Sequence, residues 1–243
     1  MNEIQQNAEP ARPAATADTP PPPITSLRGY WVIVLPLIAL AAQFVIGLIV
    51  GFMFAAVGTT GASSPLLVLI AIAGLAALSY FVIVYVLLSV RRWRWRDLGF
   101  KRSPVLPVIV AIGVGLVTAV LARLFELAAQ PAEASLFRKM SGFELAATSL
   151  VIGTLVPIAE ETMFRGVVFP VLRARIGNTL GAVIVSALIF GGFHLYPLQI
   201  VVGCVLGLPL AWLRHWSGSL VAPIALHMTH NLCVVLIAAL RII

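Results

Sequence analysis

Two adjacent glutamates, Glu160 and Glu161, stand with Arg165 in the apolar stretch SLVIGTLVPIAEETMFRGVVFPVL, from Ser149 to Leu172, as its only charges. Further along, His194 closes Phe190-Gly-Gly-Phe-His194, and His227, His230 and Asn231 fall within Leu226-His-Met-Thr-His-Asn231. These residue types fit hydrolysis. A poorly solvated carboxylate is a competent general base, and a neighbouring imidazole can help hold and deprotonate water. A second imidazole and an amide can stabilise an oxyanion. A charge at bilayer depth costs at least about 2.5–3.5 kcal/mol on insertion scales, so three within six residues need partners, a water-filled cavity or a function.

Spacing sorts the roles. Glu161 and Arg165 are four apart and share a helical face as a potential ion pair, and Glu160 is turned about 100° away. Phe190 and His194 are four apart, as are His227 and Asn231. Pro157 removes a backbone hydrogen bond three residues before Glu160 and is expected to kink the helix there. Gly191 and Gly192 let another backbone approach the His194 turn. Taken singly, each histidine is an ordinary packed residue and the Glu161–Arg165 pair a structural staple. Their joint occurrence at one depth points to a site.

That depth follows from the elements that must position them. Of the 243 residues, 60% are hydrophobic and 10% charged; soluble domains carry about a quarter charged residues. The chain is therefore expected to be all-α, a polytopic transmembrane bundle of about seven segments. Their approximate spans are 30–57, 65–90, 104–128, 143–172, 179–195, 198–213 and 218–240. The fifth and sixth are short, and a hairpin or a partly re-entrant pair is open there. Long unbroken apolar runs exclude a β-barrel. At about 1.5 Å rise per residue, Glu160 lies roughly 18 Å from the segment ends on one side, His194 roughly 22 Å, His227 roughly 13 Å and Asn231 roughly 19 Å.

Six of the sixteen Lys and Arg fall in RRWRWRDLGFKR, from Arg91 to Arg102. With Trp93 and Trp95 this reads as a cytoplasmic loop with interfacial anchors rather than a nucleic-acid patch. The N-terminus is then cytoplasmic and Gly58–Ser64 lies outside, in a multi-pass protein of the cell membrane. Arg173, Arg175 and Arg214 agree with that orientation. Arg138 and Lys139 do not, unless Pro131–Gly142 lies along the interface. Residues 1–28, rich in Pro and Ala, read as a disordered tail without the features of a signal peptide. Cys204 and Cys233 read as small packing residues, and His230 as a packing neighbour of Asn231. No internal repeat supports a two-fold transporter.

The ordered motifs resemble those of the CPBP family of intramembrane proteases, the CAAX-prenyl-protease-like and bacteriocin-processing proteins related to type II CAAX endopeptidases. Glu160-Glu161-Thr-Met-Phe-Arg165 matches EExxxR, Phe190–His194 matches FxxxH, and His227–Asn231 matches HxxxN. The resemblance covers roughly residues 104–240, a protease-like core (104–243) preceded by two helices and the basic loop (29–103). It implies an intramembrane endopeptidase that cuts a membrane-associated protein or peptide. Glu160 would activate water with help from His194, and His227 and Asn231 would form the oxyanion hole. Glu161 and Arg165 would support the site, with a direct part for Glu161 open. On this reading no cofactor is needed; the alternative is zinc held by Glu160, His194 and His227, although no HExxH spacing is present. The partners implied are the bilayer and the peptide substrate, with no nucleic acid. The runner-up function is a silent relative acting as an immunity factor or scaffold. A third is an ion or proton pathway, which lacks a polar trail to both surfaces.

Overall fold

The computed structural model describes residues 21–56, 65–129, 140–194 and 196–240. Every regular element among them is helical. In a bilayer this follows from the backbone itself, because a helix satisfies its N–H and C=O groups without water. Seven helices carry the described fold: α1 (Trp31–Ala56), α2 (Pro65–Arg91), α3 (Val105–Ala129), α4 (Gly142–Ile176), α5 (Thr179–Gly192), α6 (Pro197–Ser217) and α7 (Val221–Leu240). Six are long and apolar enough to cross a membrane. The exception is α5, whose 14 residues extend only about 21 Å, short of a hydrocarbon core of about 30 Å. The sixth segment is a full 21-residue helix, longer than its expected 198–213.

Helix α4 is the central element. Packed against it are α2, α5 and α7, while α3 pairs closely with α7 and α5 with α6. Its start is set by a capping box: Ser141 Oγ accepts from Glu144 N at 3.2 Å, and the Glu144 carboxylate accepts from Ser141 N at 2.8 Å. Around its middle, Ala159, Met163, Phe164, Val167 and Val168 are all buried.

Two π-helical turns interrupt α4, Val151–Leu155 and Phe164–Val168. Both have the same cause. Val156 N–H donates to Val151 O, and Phe169 N–H donates to Phe164 O. The next residues, Pro157 and Pro170, have no N–H. The carbonyls of Ile152 and Arg165 are therefore left without a backbone donor four or five residues on. The kink expected at Pro157 is thus a local widening of the helix, a form common at functional sites.

At the end of the bundle that carries the basic loop, Pro21–Arg28 lies against the helices. Trp93 Nε1 donates to Pro22 O, Arg91 Nη2 to Ser26 Oγ at 3.1 Å, and Arg175 Nη2 to Leu27 O at 2.8 Å. Ile24 and Leu27 are buried there. The rest of the expected tail (residues 1–20), the Gly58–Ser64 loop and residues 131–139, with Arg138 and Lys139, lie outside the described residues.

Candidate active site

Between the two π turns, α4 presents Glu160 and Glu161 to α7. Glu161 is fully buried, and its Oε1 accepts from Arg165 Nη1 at 3.0 Å and from His227 Nδ1 at 3.0 Å. The helical spacing anticipated the first contact and not the second. The other ring nitrogen, Nε2, lies 3.8 Å from Glu160 Oε2, whose side chain is 15% exposed. His227 thus sits between both carboxylates, with the hydrogen bond going to Glu161. Glu160 is the more accessible of the two carboxylates.

Burial of Arg165 is complete, and three groups make it tolerable. Besides Glu161, Nη2 donates to Gly207 O on α6 at 3.3 Å, and the guanidinium lies 4.2 Å from the Phe190 ring centroid. Phe190 is the scaffold of the site. Its ring meets His194 edge-on at 5.1 Å, His227 at 5.7 Å and Phe164 at 5.2 Å. The four-residue spacing of Phe190 and His194 was the only sequence signal for that role.

Hydrogen-bond partners assign the tautomers. His194 Nδ1 is 3.0 Å from Phe190 O, a group that only accepts, so Nδ1 carries the hydrogen. His227 Nδ1 faces a carboxylate oxygen already accepting from Arg165, so it too is the donor. Both rings therefore keep Nε2 for chemistry. The pairing of His227 with Glu161 is the orienting device of hydrolytic triads, in which a carboxylate sets the imidazole's tautomer and angle.

Asn231 is tied to the backbone of α4. Its Nδ2 donates to Ile152 O at 2.9 Å, the carbonyl orphaned by Pro157. One Nδ2 hydrogen remains free of that bond. His230 is more than packing: its Nδ1 is 3.0 Å from Thr118 Oγ1 on α3, and Thr118 donates its own hydrogen to Gly115 O. Gly191 supports close approach, since a Cβ there would lie 2.6 Å from Cys204 N and 2.7 Å from Ile200 O, whereas Gly192 faces open space. Both cysteines are free thiols, Cys204 packed at that crossing. Among the described residues no three His, Cys, Asp or Glu side chains form a metal-holding group.

Sequence reasoning missed Tyr80 on α2. It is buried, meets the Phe164 ring at 6.0 Å and lies in the field of Glu160. Nothing in its sequence neighbourhood signals this.

Comparison with known proteins gives the family. Residues 142–233, which hold every residue of the Glu160–His227 cluster, match the family model described as type II CAAX prenyl endopeptidase, Rce1-like. The chain is also 33% identical over 163 residues, 62% of its length, to an uncharacterized 24.3 kDa protein of Escherichia coli, covering 72% of that protein. The chain belongs to the Rce1-like type II CAAX prenyl endopeptidase family. No solved structure matches it. With six helices long enough to cross a bilayer, this family member is a multi-pass membrane protein. The family match begins at α4 and leaves out α1–α3, the elements that supply Tyr80 and Thr118.

Proposed function

We propose that this protein is an intramembrane endopeptidase in which Glu160 activates water against a peptide bond of a membrane-associated protein or peptide. One observation carries the reading. Glu160 Oε2 faces His227 Nε2 at 3.8 Å while Glu161 holds His227 from behind at 3.0 Å, so a partly accessible base stands beside an oriented imidazole. Water bound in the gap gives a proton to Glu160 as its oxygen attacks the carbonyl carbon. The oxyanion takes hydrogen bonds from His227 Nε2–H and the remaining Nδ2–H of Asn231. Such an Nε2 donor needs the imidazolium, for which Glu160 and Glu161 are the counter-charges. Glu160 then passes its proton to the departing amine as the C–N bond breaks. His194, with its Nε2 lone pair, assists in holding the water.

The reading places the protein in the cell membrane, with its basic loop and N-terminus in the cytoplasm. That orientation rests on Arg28, Arg91, Arg92, Arg94, Arg96, Lys101, Arg102, Arg173, Arg175 and Arg214 gathering at one end of the bundle. Catalysis is by the glutamate base and no step runs through a metal.

The test uses full-length protein in liposomes with membrane peptides isolated from a deletion strain. Wild type is expected to cleave a subset of them. Glu160→Gln should lower turnover by at least about 100-fold, the scale of losing a general base, with an unchanged melting temperature. Chelator treatment and metal analysis accompany it. Wild-type turnover by Glu160→Gln, or loss of activity with bound metal, would overturn the mechanism.

A further inference from the structure

Arg214, on the last turn of α6, entered the sequence reading only as an orientation charge. Its Nε donates to Arg165 O at 3.0 Å and its Nη2 to Leu98 O at 3.2 Å. The first acceptor is the carbonyl that Pro170 strips of a helical partner. The second belongs to the basic loop, in the turn that ends at Gly99. Gly99 has φ +110°, and a Cβ there would lie 2.8 Å from Arg214 Nη2, so this turn demands glycine both for its backbone and for the guanidinium. The loop is fastened nearby as well: Leu220 N donates to Gly99 O at 2.8 Å, and Ser219 Oγ to Lys101 O at 2.6 Å.

The same construction occurs twice along α4. Thirteen residues apart, Ile152 and Arg165 each precede a proline by five, each lies in a π turn, and each has its orphaned carbonyl satisfied by a side chain from another helix. Asn231 serves the first and Arg214 the second. The second has direct consequences for chemistry, because Arg165 is the residue whose side chain holds Glu161. Helix α6 grips Arg165 at two points, its carbonyl through Arg214 and its guanidinium through Gly207 O. From there the contacts run from Arg165 to Glu161 at 3.0 Å and from Glu161 to His227 at 3.0 Å.

We infer that Arg214 is a positioning residue of the intramembrane site. It holds the wide turn at Arg165 open and so sets the register of Arg165, Glu161 and His227, and it ties that register to the basic loop. The consequence for catalysis rests on the endopeptidase reading above; the positioning itself does not.

The experiment uses the full chain in detergent with ¹⁵N-labelled histidine, and His227→Gln assigns the resonance. In wild type, His227 is expected to be protonated at Nδ1 with a hydrogen-bonded proton signal. Arg214→Gln should broaden or shift that signal and lower kcat about tenfold or more, with KM within about twofold, as for the loss of a charge-assisted hydrogen bond felt at the reacting groups. Pro170→Ala returns an N–H to α4 in reach of the orphaned carbonyl. The double variant Arg214→Gln/Pro170→Ala should therefore recover the His227 signal and part of kcat. Gly99→Ala, which displaces the guanidinium from the other side, should reproduce the loss. An unchanged His227 signal in Arg214→Gln overturns the inference, as does a loss that Pro170→Ala leaves untouched. If the signal responds as described while even wild type cleaves nothing, the positioning stands and the endopeptidase reading fails.

Discussion

Removing Glu161 strands two buried groups at once, and the cost can be worked from the contacts. In Glu161→Leu, Arg165 keeps Gly207 O and the face of Phe190 but loses its counter-charge while fully buried. Breaking one side of a buried ion pair costs about 3–5 kcal/mol. His227 Nδ1–H also loses its acceptor, a further penalty of about 1–3 kcal/mol. The total of about 4–8 kcal/mol rivals the whole stability of an ordinary domain, about 5–15 kcal/mol, so this variant should accumulate poorly and unfold early. Arg165→Met strands only the Glu161 carboxylate and should cost about 3–5 kcal/mol. Combining them removes the pair entirely. An apolar replacement of a buried pair is close to neutral, so the double variant should keep only the His227 penalty of about 1–3 kcal/mol. Thermal unfolding of all four proteins in one detergent closes the cycle, with gel filtration to check the folded state. The double variant should be more stable than Glu161→Leu and yet remain inactive, because His227 has lost its orienting carboxylate. If the two single losses simply add, the ion pair is not the reason these residues coexist, and the argument for Glu161 fails.

Two other predictions rest on α4 and its neighbours. Asn231→Leu should lower stability by about 1–2 kcal/mol through the uncapped Ile152 carbonyl, and Pro157→Ala should restore part of it; equal melting temperatures for Asn231→Leu and wild type would remove the capping role. Gly191→Ala should force α5 and α6 apart at a cost of about 1–3 kcal/mol. Adding Cys204→Ala should not help, since the obstructing Cys204 N and Ile200 O are backbone atoms. Recovery by that second change, read from the same unfolding curves, would mean that only the sulfur is in the way.

Much of the architecture is legible before any folding. Long apolar runs in a chain with so few charges must become helices in a bilayer, and rare polar residues on antiparallel crossings must meet if their depths match. On that basis Glu160, Glu161, Arg165, His194, His227 and Asn231 could be gathered around one region. The capping box at Ser141 and Glu144 is readable in the same way, being local.

What the sequence by itself determined about this protein is its class and the inventory of its polar groups. Even the two prolines at 157 and 170 announce missing backbone donors. Tertiary structure alone decided how those absences and charges are resolved. A regular helix turns Glu160 and Glu161 by a fixed angle, but which of them accepts from His227 depends on how α7 docks against α4, and the hydrogen bond goes to Glu161. Asn231 and Arg214 find their acceptors on another helix, 79 and 49 residues away in the chain. No local rule links such pairs, because the acceptor exists only after a proline has widened the helix and packing has brought the donor alongside. Phe190, Tyr80 and Gly207 belong to the site for the same reason: in a close-packed bundle, the neighbour of a buried charge is chosen by how whole helices dock.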